Sequence, residues 1–314
     1  MGWSIVKRLG IGVLQLLFAV LLVFVLIAAS PGDPASRIAG DAATVEQIAA
    51  LRTKLGLDRP LLVQYVEWIR HAGRGDLGKS VISDERISSL LSRTISPTLS
   101  ILIGSLVITL IVGVVGGSLA ALRPGKIVDR LVVATTGFAV AIPGFFLGLV
   151  LVNYFAVRRN WFPAVGYVGI TSSPGQWFHH LVLPAVALST VTVAEVTRQL
   201  RGSLADVLQS EYIVAARARG VSQRALVVRH AMKNAALPVL TVLGVRVSQL
   251  IGGTVVIEGV FNIQGMGRTV VRAALAGDVD VVLGVTVVAS LIVLLTNVLI
   301  DLVQPLINPR MRAA

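Results

Sequence analysis

The chain has 314 residues, of which 55% are hydrophobic and only 14% charged, and it contains no cysteine. Soluble domains carry about 25% charged residues, so this composition indicates a membrane protein, and the lack of cysteine excludes disulfides, thiolate metal sites and a cysteine nucleophile. A net charge of +12 would suit a nucleic-acid-binding protein, but the basic residues lie between apolar runs and not on one polar face, which argues against a nucleic-acid partner.

Six segments are long and apolar enough to cross a membrane as helices, since about 20 residues suffice. The first, second, third and sixth segments each contain an uncharged run of that length. The fourth segment contains Glu195 and Arg198, and the fifth contains Arg246. The sequence therefore predicts an all-α polytopic membrane protein with six transmembrane helices. The predicted spans are residues 9–29, 97–122, 131–157, 181–200, 235–257 and 281–305.

The first span follows Lys7 and Arg8, as the apolar core of a signal peptide would, and cleavage near Ser30 is the alternative interpretation. We favour a retained span, because residues 9–29 exceed the roughly 7 to 15 residues of a typical signal core.

A long insert, residues 30–96, separates the first two spans. Its apolar residues recur at helical intervals over residues 44–55, which Gly56 would end, and again over residues 61–71 after Pro60. We expect this insert to form a small folded helical cap.

The insert contains "GRGDLGKS", residues 73–80, which matches the phosphate-binding pattern G-x-x-x-x-G-K-[ST]. A P-loop places these glycines between a β-strand and a helix, so that backbone N–H groups face the phosphates. Here the motif follows the helical stretch "YVEWIRHA" and precedes the polar stretch "SDERISS". We interpret it as a tight turn and expect no ATP chemistry in it.

Within the spans, glycines and one proline have structural implications. Gly113, Gly116 and Gly117 in the second span would permit close contacts between helices. Pro143 and Gly144 in the third span favour a bend.

The distribution of Lys and Arg predicts the orientation of the chain. The short segments on one side of the predicted spans, together with Arg198 at that end of the fourth span, carry fourteen of these residues, and those on the other side carry four. Because cytoplasmic loops are enriched in Lys and Arg, both termini are expected in the cytoplasm. The cytoplasmic segments would be residues 1–8, 123–130, 201–234 and 306–314, and the extracytoplasmic ones residues 30–96, 158–180 and 258–280.

The cytoplasmic segment 201–234 is too polar to enter the bilayer and too short to form its own core. It predicts one helix up to Gly220 and a second that begins after Ser222 and continues past Pro238 into the fifth span. This arrangement would suit a lever moved by a partner protein, but a solvated basic loop that only enforces topology is equally compatible with the residues. The candidate contact residues are Glu211, Tyr212, Ile213, Ala215, Ala216, Arg217, Ala218, Arg219 and Gly220.

Ionisable residues within the spans are costly and often functional. Arg246 could either form an ion pair with Glu195 or line a pathway through the membrane. Glu258 is a further candidate for either role, and it is expected at the outer end of the fifth span, where a boundary position is the alternative. The four histidines lack an acidic cluster, so no metal site is expected. No catalytic residue is expected either, because the Gly-x-Ser-x-Gly motif of hydrolases is absent.

The stretch "VAARARGVSQRALVVRHAMKNAALPVL", residues 214–240, resembles the coupling motif of binding-protein-dependent ABC importer permeases, whose core is Glu-Ala-Ala, three residues and Gly. The matching positions are Ala215, Ala216 and Gly220, with Val214 in place of the family's Glu. The later "RH" and "NAALP" resemble the oligopeptide, dipeptide and nickel branch. Four other stretches are similar to motifs of that branch: "GDLGKS" (75–80), "WFPAVGY" (161–167), "EGVFNIQGMGR" (258–268) and "NPRMR" (308–312).

This resemblance implies the fold of a type I ABC importer permease in a bacterial inner membrane. The expected partners are membrane lipid, a second homologous permease subunit in a heterodimer, two ATPase subunits that hold ATP and Mg²⁺, and an extracytoplasmic substrate-binding protein. Residues 211–220 would dock in a groove of an ATPase subunit, with Glu211 as a substitute for the missing acid. This chain itself would hold no cofactor.

The implied cargo is a dipeptide or oligopeptide, and nickel or another small solute is the alternative within the family. A self-contained secondary transporter is a further alternative, which would require inverted repeats. Residues 1–157 and 158–314 show no convincing repeat.

Overall fold

Long apolar runs of this chain fold into long helices, and the computed structural model describes residues 2–29, 33–40 and 42–307. Those residues form helices and loops without a strand, apart from an isolated bridge between Lys79 and Arg86, which confirms the all-α prediction. The helices are α1 (Gly2–Ala29), α2 (Pro34–Ala39), α3 (Val45–Lys54), α4 (Leu61–Ala72), α5 (Ile87–Ala121), α6 (Ile127–Ala141), α7 (Gly144–Leu151), α8 (Pro174–Leu208), α9 (Glu211–Ala218), α10 (Gln223–Ala225), α11 (Met232–Val260), α12 (Met266–Ala276) and α13 (Val279–Ile307).

Within the described residues, five helical stretches are each long and apolar enough to cross a membrane. The last four stretches are longer than the predicted spans, and α5 and α8, for example, already begin at Ile87 and Pro174. The membrane limits of the spans stay predictions. The five stretches are Gly10–Ala29, Ile87–Ala121, Pro174–Leu208, Gln223–Val260 and Val279–Pro305.

The third predicted span is broken. Helix α6 and helix α7, which continues as a π-helical turn over Val152–Arg158, meet at an angle of 99°. The break lies at Ile142 and Pro143, where proline has no N–H to donate to a helical hydrogen bond. The predicted bend is therefore confirmed, and the number of spans reaches six if the bent pair counts as one.

The described residues divide into two compact units. The first unit comprises Leu99–Ile263 and the chain from Leu295 onward, with a core formed mainly by α8 and α11. A Cβ atom at Gly113 would lie 2.7 Å from a Val196 methyl carbon, and one at Gly117 would lie 2.8 Å from the Thr197 carbonyl oxygen. Glycine thus lets α5 approach α8 closely, as the sequence predicts.

The second unit comprises Gly2–Thr98 and Gln264–Leu294. The two helices expected in the insert are present as α3 and α4, and Gly56 follows α3 with a left-handed φ of 68°. Thr44 and Gln47 form a capping box at the start of α3, which satisfies backbone N–H groups that have no helical partner. The insert is therefore a set of short helices, as expected.

The "GRGDLGKS" motif forms a turn in the second unit. Gly75 and Gly78 both have a φ of 84°, and the Gly78 N–H donates to Asp76 Oδ1 at 3.0 Å. The Ser80 hydroxyl donates to Asp278 Oδ2 at 2.5 Å, and helix α5 begins only seven residues later, at Ile87. Neither a preceding strand nor an immediately following helix is present in this described region, which confirms the turn interpretation.

Candidate functional site

Helix α9 is a separate short helix between α8 and α10. Ser210 occupies its N-cap position, Glu211 lies in its first turn, and its C-cap is Arg219. The next residue, Gly220, has a φ of 81°, a left-handed conformation that glycine adopts without strain. The predicted helix and its glycine stop are therefore both present.

The second predicted helix is continuous with a long apolar helix. It begins as α10, passes through a π-helical turn at Leu226–Ala231, and continues as α11, so that Gln223–Val260 forms one helical stretch of 38 residues. Ser222 is its N-cap residue, although its side chain makes no capping hydrogen bond, and Pro238 lies inside α11 without ending it. The order along the chain is thus a short helix, a glycine turn and a long helix that continues into an apolar stretch.

The face that α9 turns inward is formed by Ile213 and Ala216, whose exposed fractions are 0% and 5%. Both belong to the core cluster that contains Leu204 of α8 and Leu226 of the π-helical turn. They hold α9 against this chain, and their expected place in a partner contact stays a prediction. The other candidates are exposed: Glu211, Tyr212, Ala215, Arg217, Ala218, Arg219 and Gly220.

Tyr212 connects α9 to α11, a role the sequence did not reveal. Its hydroxyl accepts a hydrogen bond from Asn234 Nδ2 at 2.8 Å, while the side chain remains 45% exposed. The backbone closes the same junction, because the Val221 N–H donates to the Ala216 carbonyl at 3.3 Å. Asn234 was missed because its partner lies 22 residues away, beyond any helical spacing.

A second missed contact lies at the base of α8. Arg201 Nη2 donates to Asp129 Oδ2 at 2.8 Å and its Nε bonds the other carboxylate oxygen, a bidentate geometry favoured by guanidinium groups. The Gly125 N–H also donates to Asp129 Oδ2, at 2.9 Å. Asp129 is 3% exposed, so this carboxylate fixes the turn before α6 to the end of α8. The available signal was that Asp129 is the single acid in the basic segment 123–130.

Arg246 of α11 forms an ion pair with Glu195 of α8 and also bonds the side chain of Gln249. Arg246 lines a cavity of about 250 Å³ as well, together with Gly144, Phe145 and Thr192. Arg246 thus forms the expected ion pair and also borders a cavity. Whether the cavity is part of the pathway stays a prediction.

Glu258 differs from the other ionisable candidates. It lies in the last turn of α11, close to the expected outer end of the fifth span, but its exposed fraction is 0%. It is therefore fully buried within this chain, and its role in a pathway or an ion pair stays a prediction. Among the described residues, no group of three or more His, Asp or Glu residues is arranged to hold a metal ion.

Comparison with known families covers most of the chain. The model described as "Binding-protein-dependent transport system inner membrane component" matches residues 113–313, and the model of its N-terminal part matches residues 1–102. The chain belongs to this family. The inner membrane component is thus an integral membrane permease subunit of a binding-protein-dependent transporter.

Relatives of this inner membrane component are similar over their whole length. A probable peptide ABC transporter permease of Sinorhizobium fredii is 39% identical over 99% of this chain and 100% of its own. A putative peptide transport system permease of Brucella abortus and a glutathione transport system permease of Escherichia coli are each 36% identical, over 98% of both chains.

A solved structure shares the fold of this inner membrane component. The MetNI methionine ABC transporter, in an inward-facing conformation, superposes with a TM-score of 0.57 at 20% sequence identity, and the match covers 70% of this chain and 97% of that chain. The expected fold of a type I importer permease is confirmed.

Proposed function

We propose that this inner membrane component is a permease subunit that imports dipeptides or oligopeptides. Full-length similarity to two permeases named for peptides and to one named for glutathione, itself a small peptide, supports this cargo. The observation that carries the mechanism is the continuity of α10 with α11, together with the exposed outer face of α9.

The proposed assembly contains a second homologous permease subunit, two ATPase subunits and an extracytoplasmic binding protein. The ATPase subunits hold ATP and Mg²⁺ and perform the hydrolysis, while this chain holds no cofactor. The excess of Lys and Arg in the segments 1–8, 123–130, 201–234 and 306–314 supports a bacterial inner membrane orientation with both termini in the cytoplasm. Residues 308–314 lie outside the described residues.

In the proposed mechanism, the exposed face of α9 docks in a groove of an ATPase subunit, and Glu211 supplies the acid that Val214 does not. Force on α9 reaches α11 by two routes. Ile213 and Ala216 press on the shared core, and the Tyr212 to Asn234 hydrogen bond pulls on α11 directly. Closure of the ATPase pair then moves the permease halves between inward-open and outward-open states, which the cargo must bind with different affinities.

The test is purification through a tag on this chain, identification of the co-eluting subunits, and reconstitution in liposomes with the binding protein. We expect ATP-dependent uptake of a labelled peptide and no nucleotide hydrolysis by the isolated chain. Uptake of nickel or another small solute but not of peptides would contradict the proposed cargo. Transport by the isolated chain would contradict the proposal that the ATPase subunits drive import.

A further inference from the structure

Helix α4 of the insert packs against α1 deep within an apolar stretch. The Tyr65 hydroxyl donates to the Leu17 carbonyl oxygen at 3.2 Å, and the Tyr65 ring meets Phe24 edge to face with centroids 5.9 Å apart. Leu17 precedes Ala29, the end of α1, by about 18 Å along the helix axis at 1.5 Å per residue. This contact lies inside the candidate span Gly10–Ala29, so part of the insert reaches membrane depth.

The outward surface of α4 changes character along the helix. In the first half, Leu62, Val63 and Val66 are exposed, with Leu62 at 67%. Within α4 the exposed residues after Val66 are Arg70 and His71, and Gly73, Arg74, Gly75 and Asp76 are exposed just beyond its end. An apolar first half attached beside the middle of a span, followed by a basic second half, matches the order of acyl chains and phosphates in a bilayer.

The charged residues at the deep end of α4 are already paired. Arg59 Nη1 bonds Glu67 at 2.8 Å, and the Thr53 hydroxyl donates to Asp58 Oδ2 at 2.6 Å. Arg59 and Glu67 also line a cavity of about 310 Å³ on the side of α4 that holds Trp68. Charges so paired cost less near hydrocarbon than isolated ones.

We propose that α4 is a membrane-dipping helix. Leu62, Val63 and Val66 contact the acyl chains of the leaflet on the side of the insert, and Arg70 and Arg74 lie at the lipid phosphates. We choose lipid as the partner because the exposed apolar surface of α4 accompanies that of α1. Tyr65 attaches α4 to α1, and α1 exposes Leu14, Phe18 and Leu22 within its candidate span. An exposed apolar residue alone would not suffice, because single ones are common on protein surfaces.

Because the chain has no cysteine, single cysteines report on this surface directly. Leu62→Cys and Val66→Cys place two probes on the proposed lipid face, and Val45→Cys, at a residue 78% exposed on α3, is the matched control in the same insert. The whole complex is placed in nanodiscs, and each cysteine is tested with a charged maleimide and with an environment-sensitive fluorophore quenched by doxyl lipids.

We expect Leu62→Cys and Val66→Cys to react at least about tenfold more slowly with the charged maleimide than Val45→Cys, and only their fluorophores to be quenched by doxyl lipids. Reaction of both as fast as Val45→Cys would overturn the proposal. Protection without doxyl quenching would assign this face to a protein partner and overturn it equally. Neither outcome depends on which solute the transporter carries.

Discussion

The Tyr212 hydroxyl accepts a hydrogen bond from the Asn234 side-chain amide at 2.8 Å and thereby joins α9 to α11. The buried pair Ile213 and Ala216 gives the same junction an apolar contact. Helix α9 is therefore held by both polar and apolar contacts on its inner side, while its outer side remains exposed. In the proposed mechanism, these contacts carry a push on the exposed side to α11.

We predict that Tyr212→Phe lowers transport more than ATP hydrolysis. A neutral hydrogen bond contributes about 0.5–1.5 kcal/mol, so the peptide carried per ATP should fall by roughly two- to tenfold. The measurement is uptake and ATPase activity of the reconstituted complex. If the bond is responsible, Asn234→Ala has the same effect and the double variant is no worse than either single one. Additive losses would show that the two side chains act separately.

Substitution of Gly220 separates backbone strain from surface contact. No atom lies within 4 Å of a Cβ built at Gly220, but its φ of 81° disfavours most side chains. Gly220→Arg adds a large cation beside the docking face and a backbone strain of roughly 1–2 kcal/mol. We expect the complex to assemble and hydrolyse ATP but to take up at least about tenfold less peptide. Gly220→Asn is the control, since asparagine tolerates this conformation and should keep most uptake. Normal uptake by Gly220→Arg would contradict the lever.

The Asp129 to Arg201 pair should stabilise the first unit. Asp129→Asn leaves the guanidinium with one weaker partner, and we expect the free energy of unfolding to fall by about 1–3 kcal/mol, measured in detergent as a lower melting temperature. Glu67→Gln breaks the exposed pair with Arg59 and is the control, because surface ion pairs contribute about 0–1 kcal/mol. Equal effects of the two variants would show that burial of Asp129 adds nothing.

The Arg246 to Glu195 pair offers a test between a structural and a pathway role. We predict that Arg246→Met lowers transport at least about tenfold, because it leaves Glu195, whose side chain is 15% exposed, without its cation. Exchange of the two residues, Glu195→Arg with Arg246→Glu, should restore part of the uptake if the pair itself matters. No rescue by the exchange, with normal assembly, would indicate that the cation must face the cavity.

Local sequence signals predicted the positions of the helices well, but they did not predict which face of α9 is buried. Apolar runs, Gly220 and Pro143 mark where helices continue, stop or bend, and the structure agrees at each position. The burial of Ala216 was missed because small size suits both a partner contact and a packed core. Only the position of α9 against Leu204 and Leu226 decides between them.

Long-range polar contacts lay beyond the sequence for a similar reason. Arg201 and Asp129 are 72 positions apart, and Ser80 and Asp278 are 198 positions apart. The "GRGDLGKS" stretch matches a phosphate-binding pattern because that pattern contains only the glycines, the lysine and Ser80. The carboxylate that Ser80 bonds, Asp278, lies far away in the sequence. Tertiary packing brings these partners together, and no local sequence pattern predicts such contacts.

The break between α6 and α7 limits which surroundings this part of the chain tolerates. A 99° bend interrupts the helical hydrogen-bond pattern, and lipid tails offer no partners to main-chain N–H and C=O groups. Gly144 begins α7 and lines the cavity beside Arg246. We therefore expect the chain at this break to be covered by protein or to border water, and not to face lipid tails.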